Sequence, residues 1–341
     1  MPRRQVLTER QREALFGLPT DEPALLHHYV LSDADIKHIQ ARRRPENRLG
    51  FALQVCALRY PGRLLQPGEL IPDEIISFVG AQLGIAKELL ATYAQRRQTR
   101  YQHSASLQKL YGYRLFDSDD SEFRQWLAKA AEGATSNEGL ARALVAEMRL
   151  RRIVVPAIST VERLCADALV AAENSIAHRV ANGLDKANCK DLDSLLTEFT
   201  TQRVSIFVWL RQHEAGNNSR VVNGLMDKLE RLIELGLDPS ILNEIPRHRV
   251  ARLKRQGERY FADGMRDLPD HRRLAILAVC CIEWRAEISD AIIETHDRVV
   301  GKLYRMSERT RNDQVNRQRE AIQKTLQTFT EIGAAMVAAQ E

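Results

Sequence analysis

Residues 32–63, SDADIKHIQARRRPENRLGFALQVCALRYPGR, read as two helices joined by a short turn. Ser32 stands where an N-cap belongs. Asp33 and Asp35 follow in the first turn, where carboxylates suit the positive end of the helix dipole. The first helix runs to about Ala41 and is interrupted by Arg42-Arg43-Arg44-Pro45. A second runs from about Glu46 to Tyr60 and stops at Pro61-Gly62, because proline cannot continue a helix and glycine favours a turn.

The same punctuation recurs outward from this pair, and clear strand signals are absent. Upstream, Thr8 and Gln11 have capping-box spacing. Downstream, Pro72 sits at a first helical position and Gly84 at a C-terminal cap, and a long helix is expected over about 86–111. Further helices are expected over about 119–132, 137–152 and 160–182. The last opens on Ser159 and Glu162, again at capping-box spacing. Its apolar stripe, Val161, Leu164, Cys165, Ala168, Leu169, Ala172, Ile176 and Val180, has a 3.6-residue period and marks a core face. Val222, Leu225, Leu229 and Leu232 mark another helix, closed by Gly236 and Pro239. After Pro269 no proline occurs. Val315, Ile322, Phe329 and Met336 have heptad spacing there, but Arg319 and Gly333 take intervening seam positions. One long helix packed on its neighbours and a dimer seam both fit. The expected fold class is all-α.

Of 341 residues 44% are hydrophobic and 6% aromatic, enough for a sizeable core and biased towards helix. No apolar run reaches the roughly 20 residues of a membrane span. The start, MPRRQVLTERQREALF, has no apolar signal core. Cys56, Cys165, Cys189, Cys280 and Cys281 form no CxxC pair, so reduced, mostly buried thiols in a cytoplasmic protein are expected. Charge is uneven. Residues 1–118 hold 17 Lys and Arg against 12 Asp and Glu, whereas the remainder holds 33 of each. Within 42–114 the count is 12 against 5. A basic first third points to a polyanion partner, and the final third reads as neutral and structural.

No GxGxxG, P-loop, GxSxG or HExxH motif is present. Asp117, Asp119 and Asp120 precede a helix, where capping is a commoner role than magnesium binding. Arginines are more informative. Arg42, Arg43, Arg44 and Arg48 cluster at the first helix junction, with Arg59 and Arg63 near the far end of the second helix. They fit a solvated charged turn or a contact to phosphates and guanine edges. Arg96, Arg97 and Arg100 cluster beside Tyr93 and Tyr101, as an exposed helix flank or a backbone contact. Arg151 and Arg152, then a proline turn, then Ser159, Thr160 and Arg163 have a helix-turn-helix layout whose helix start could take a phosphate.

The run LTERQREALFGLPTDEPALLHHYVLSDADIKHIQARRRPENRLGFALQVCALRYPGRLL resembles the N-terminus of the Tn-three family of transposases, which move replicative transposons. RRIVVPAISTVERLC and LAILAVCCIEWRAEISDAIIETHDRVVGKLY resemble later blocks of that family. The resemblance implies a first DNA-binding domain over 1–117, a second, helix-turn-helix-like one over 118–184, and a helical linker or dimerisation scaffold over 185–341. It implies binding to double-stranded terminal inverted repeats and association with the nucleoid through DNA; the heptad spacing adds self-association through the C-terminal helices as one of its two readings. The family's catalytic domain is ribonuclease-H-like and holds magnesium on acidic residues further downstream. This chain is therefore expected to carry no catalytic residue, to need no cofactor and to be inactive alone. The alternative is a helical oligomerisation module with only non-specific DNA contact.

Overall fold

The computed structural model describes residues 7–93, 97–214, 216 and 218–338. It is all-α, as expected, and divides into two compact units, Met1–Ser175 and Ile176–Glu341. The expected domain borders after 117 and 184 are a finer division than these two units.

The first unit contains α1 (Glu9–Phe16), α2 (Glu22–His28), α3 (Asp33–Gln40), α4 (Pro45–Arg59), α5 (Asp73–Leu83), a 3-10 helix (Lys87–Thr92), α6 (Arg97–Tyr111), α7 (Ser121–Gly133), α8 (Asn137–Leu150) and most of α9 (Ile158–Asn182). Its named strands are two residues each, β1 (Arg114–Leu115) and β2 (Ile153–Val154). They pair in parallel with Arg114 opposite Ile153.

Two apolar cores fill this unit. One surrounds α4, in which every residue from Leu49 to Leu58 except Gln54 is buried. A helix apolar on all sides belongs at the centre of its neighbours, and Leu25, Tyr29, Ile39, Ile75, Val79 and Leu107 pack round it. Each such side chain contributes about 1.5–3 kcal/mol on burial. The second core joins Leu7 and Leu15 to α7, α8 and α9 through Phe123, Leu144, Met148, Val161 and Cys165. α1 is pinned there by Arg12, whose guanidinium donates to both Glu162 carboxylate oxygens at 2.9 and 3.0 Å.

The second unit holds α10 (Lys186–Thr197), α11 (Ile206–Arg211), α12 (Ser219–Glu234), a 3-10 helix (Pro239–Leu242), α13 (Arg247–Arg259), α14 (Ala262–Arg266) and α15 (Asp270–Ala338). Ala275 to Cys281 are consecutive and buried, so this stretch of α15 is the axis of the unit. α12 lays Val221, Leu225 and Leu232 into the core, and α13 lays in Val250 and Leu253. From Lys302 to Val337 every residue of α15 is exposed.

Three local expectations change. The helix expected over 86–111 is a 3-10 turn followed by α6. Tyr93 packs so closely over Gly50 that a Cβ there would run into its ring, and the Tyr93 hydroxyl pairs with His103 Nδ1 at 3.1 Å. The chain must turn to place Tyr93 there. The helix expected over 137–152 stops at Leu150, because Arg152 is left-handed with φ 53°. The Ser159–Glu162 capping box does not form. α9 starts two residues earlier, at Ile158, which puts Ser159 inside the helix, and Glu162 is taken by Arg12 and the Leu7 N–H. The boxes at Thr8–Gln11 and Ser32–Asp35 are both present.

Candidate nucleic-acid interface

α3 and α4 meet across residues 41–44, and the arginines there divide by role. Arg59 is structural. Its guanidinium donates to Asp35 Oδ2 at 2.5 Å and to the Val30 carbonyl at 3.1 Å. Asp35 is 2% exposed. It also accepts from the Ser32 N–H and hydroxyl, both at 2.7 Å, and from the Tyr111 hydroxyl at 2.9 Å. Burial works against its charge, but the bonds from Arg59 and Ser32 outweigh that and hold the carboxyl below the usual aspartate range. Arg63 clasps Glu69 at 2.5 and 2.9 Å and donates to the Phe16 carbonyl at 3.1 Å. Arg48 donates to the Arg42 carbonyl at 2.8 Å and closes the turn. Arg42 folds inward, its guanidinium 4.3 Å from the centre of the Phe51 ring. Arg43 and Arg44 remain outward. Arg44 is 75% exposed despite a 3.7 Å approach to Glu46, and Arg43 is exposed with no ion pair among the described residues.

Arg96 lies outside the described residues, as do the side chains of Arg97 and Arg100. By backbone position Arg97 and Arg100 occupy the opening turn of α6. His103 follows on the next turn and meets Phe51 edge-on at 5.2 Å. Phe51 thus touches Arg42 and His103 together. Burial, with Arg42 nearby, lowers the His103 pKa to about 4, so the ring is neutral near pH 7. This stack brings the α3–α4 turn and the opening of α6, about 50 residues apart in sequence, to one end of the α4 core.

The third cluster is less open than its layout suggests. Arg151 is engaged by Glu147 at 2.6 Å and Glu122 at 3.2 Å. Arg152 donates to the Tyr111 carbonyl at 3.2 Å, at the far end of α6. Thr160 is half-buried and its N–H bonds the Ala157 carbonyl at 2.8 Å. Ser159 and Arg163 are exposed. α8 and α9 are joined by residues 151–157, which include β2. That is longer than the three- to four-residue turn of a helix-turn-helix. Asp120 is the N-cap of α7 and pairs with Arg114 at 2.6 Å, while Asp119 pairs with Arg124 at 2.5 Å.

One basic element escapes the charge count. α13 reads RHRVARLKRQGER, with six Lys and Arg against one Glu. It disappears when charge is averaged over the last two-thirds of the chain; a window of one helix length reveals it.

A family model described as a domain of unknown function, DUF4158, matches residues 6–168. The transposase for transposon Tn21 of Escherichia coli is 33% identical over 344 aligned positions, covering 100% of this chain and 35% of that protein. Over its whole length the chain is similar to this transposase. The transposase for transposon Tn3926 of Escherichia coli is 32% identical over 100% of the chain and 34% of its own length. That for Tn501 of Pseudomonas aeruginosa is 28% identical over 100% of the chain and 35% of its own length. The chain thus spans about a third of the length of these transposases. Among the described residues no helix is long and apolar enough to cross a membrane, and no group of three or more His, Cys, Asp or Glu could hold a metal ion.

Proposed function

We propose that the chain is the DNA-recognition part of a replicative transposase and binds the terminal inverted repeats of its transposon. The observation that carries this is its relation, over the full 341 residues, to transposases. The geometry supports a first contact surface made of Arg43, Arg44 and the opening of α6, with Ser159 and Arg163 as a smaller second one. Guanidinium groups suit phosphates and guanine edges because they donate in a planar fork. Arg42, Arg48, Arg59, Arg63 and Arg151 support these surfaces through bonds within the fold, and Arg152, though exposed, holds the Tyr111 carbonyl. Catalysis would belong to acidic residues and magnesium supplied outside this third of the transposase.

The test is a titration of the chain with an inverted-repeat duplex and a scrambled one at about 0.15 M salt. A preference of about a thousandfold or more is expected for a specific binder. Equal affinity for the two would reduce the function to non-specific DNA contact.

A second role is favoured by one observation. The exposed part of α15 carries Val315, Ile322, Phe329 and Met336, 41–69% exposed, at heptad spacing. An apolar stripe of this length on a solvated helix suits pairing with a second copy.

A further inference from the structure

We propose that α13, in the second unit, is a further phosphate-binding surface for duplex DNA, with Arg255 and Arg259 as its contacts. This rests on the reading of the chain as a DNA-binding part of a transposase. It extends that function to a region outside the match at residues 6–168.

The structure sorts the cations of α13. Arg249 is buried. Arg247 reaches Glu283 at 3.2 Å. Lys254 is held by Glu287 and, at 3.5 Å, by Glu258, the only acid of the helix. Arg252, Arg255 and Arg259 are exposed. Steps of three and four residues put them on one face, over about 10 Å of helix. Arg255 bonds only the Ala251 carbonyl of its own helix, and Arg259 makes no ion pair among the described residues.

Arg255 and Arg259 are like charges four residues apart and repel slightly, and an anionic partner would relieve that repulsion. Duplex DNA presents a phosphate every 3.4 Å along each strand, which places two or three within reach of a 10 Å row. Two features make α13 a firm platform. Its other face is pressed on α15, where a Cβ at Gly257 would run into Cys280 Sγ. Its C-terminal carbonyls, which would repel a phosphate near Arg259, are neutralised. Arg211 donates to the carbonyls of Gly257, Glu258 and Tyr260 at 3.4, 2.7 and 2.8 Å.

The experiment measures affinity of the full chain for an inverted-repeat duplex and a random duplex between 50 and 200 mM salt. Arg255→Gln with Arg259→Gln should make the slope of log K against log salt shallower by about 1.8 on both duplexes, at roughly 0.9 per phosphate. The preference between duplexes and the melting temperature should not change. Arg255→Lys with Arg259→Lys should restore the slope, because a phosphate accepts a point charge. An unchanged slope in a variant whose parent binds DNA overturns the α13 proposal alone and leaves the row to an acidic protein surface. Loss of preference at constant slope also overturns it. A parent chain that binds neither duplex overturns this proposal and the proposed function together.

Discussion

Arg59 and Arg43 lie in one basic segment, yet their substitution should read out differently. Arg59 neutralises a carboxylate that is almost fully buried. Arg59→Ala should therefore cost about 3 kcal/mol of folding stability, the usual penalty for stripping one partner from a buried pair, and lower the melting temperature. Arg43→Ala with Arg44→Ala should leave melting within about 0.5 kcal/mol of the parent and reduce the salt slope of DNA binding by about 0.9 per lost phosphate contact. If the pair Arg43 and Arg44 were instead the thermally sensitive one, the division of roles at the α3–α4 turn would be wrong. His103 makes a separate, pH-dependent prediction. Its pKa falls from 6.5 in the unfolded chain to about 4 in the folded one. Between those values the unfolded chain binds a proton that the folded chain refuses, so stability falls as pH drops through this window, by at most about 3 kcal/mol. Asp35 acts in the same direction at lower pH. Its folded pKa lies below 3.8, so its contribution is present above that value and lost as pH falls through the folded pKa. A urea midpoint lower at pH 4.5 than at pH 7 is expected for the parent, with a smaller difference for His103→Gln. An equal midpoint at both pH values would mean that His103 is not held neutral in the core.

At the scale of elements, two helix contacts depend on a missing side chain. Gly50 lies under the Tyr93 ring, and Gly257 lies against Cys280. Alanine would add up to about 1 kcal/mol of helix propensity at either site. The displaced neighbour is an aromatic ring in one case and a buried core thiol in the other, and such overpacking costs about 1–3 kcal/mol. Gly50→Ala and Gly257→Ala are each expected to destabilise, measured by thermal or urea unfolding; a stabilised variant at either position would show that the helices can separate cheaply. These contacts also mark the limit of what the sequence discloses. The caps at Thr8 and Ser32, the stop at Pro61-Gly62 and the core stripe of α9 are local signals between near neighbours, and they are legible. The break after Thr92, the capture of Glu162 by Arg12 and the assignment of α1 to the α7–α9 core depend on partners 10 to 155 residues away. No spacing rule encodes such partners. The arginine clusters were visible as composition. Which of them face solvent was not, because Arg59 and Arg63 differ from Arg43 only in the carboxylates that tertiary packing brings to them.

For the molecule as a whole, α15 is two different helices in one. From Ala275 to Cys281 it is apolar on every side and buried, and from Lys302 to Val337 it is exposed on every side. A solvated helix of some thirty-six residues is about 54 Å long. Most helical stability in proteins comes from packing rather than propensity, so this segment gains from a partner. Its stripe offers one through Val315, Ile322 and Phe329, while Arg319 and Gly333 weaken the seam. The expected state is a dimer that forms in the micromolar range and dissociates on dilution, visible by sedimentation. Ile322→Asp with Phe329→Asp should abolish association and leave the melting of the second unit unchanged, because neither residue touches its core. If the parent sediments as a monomer at all concentrations, the stripe is not a seam between copies. If the parent dimerises and the double variant still does, the contact lies elsewhere on the chain.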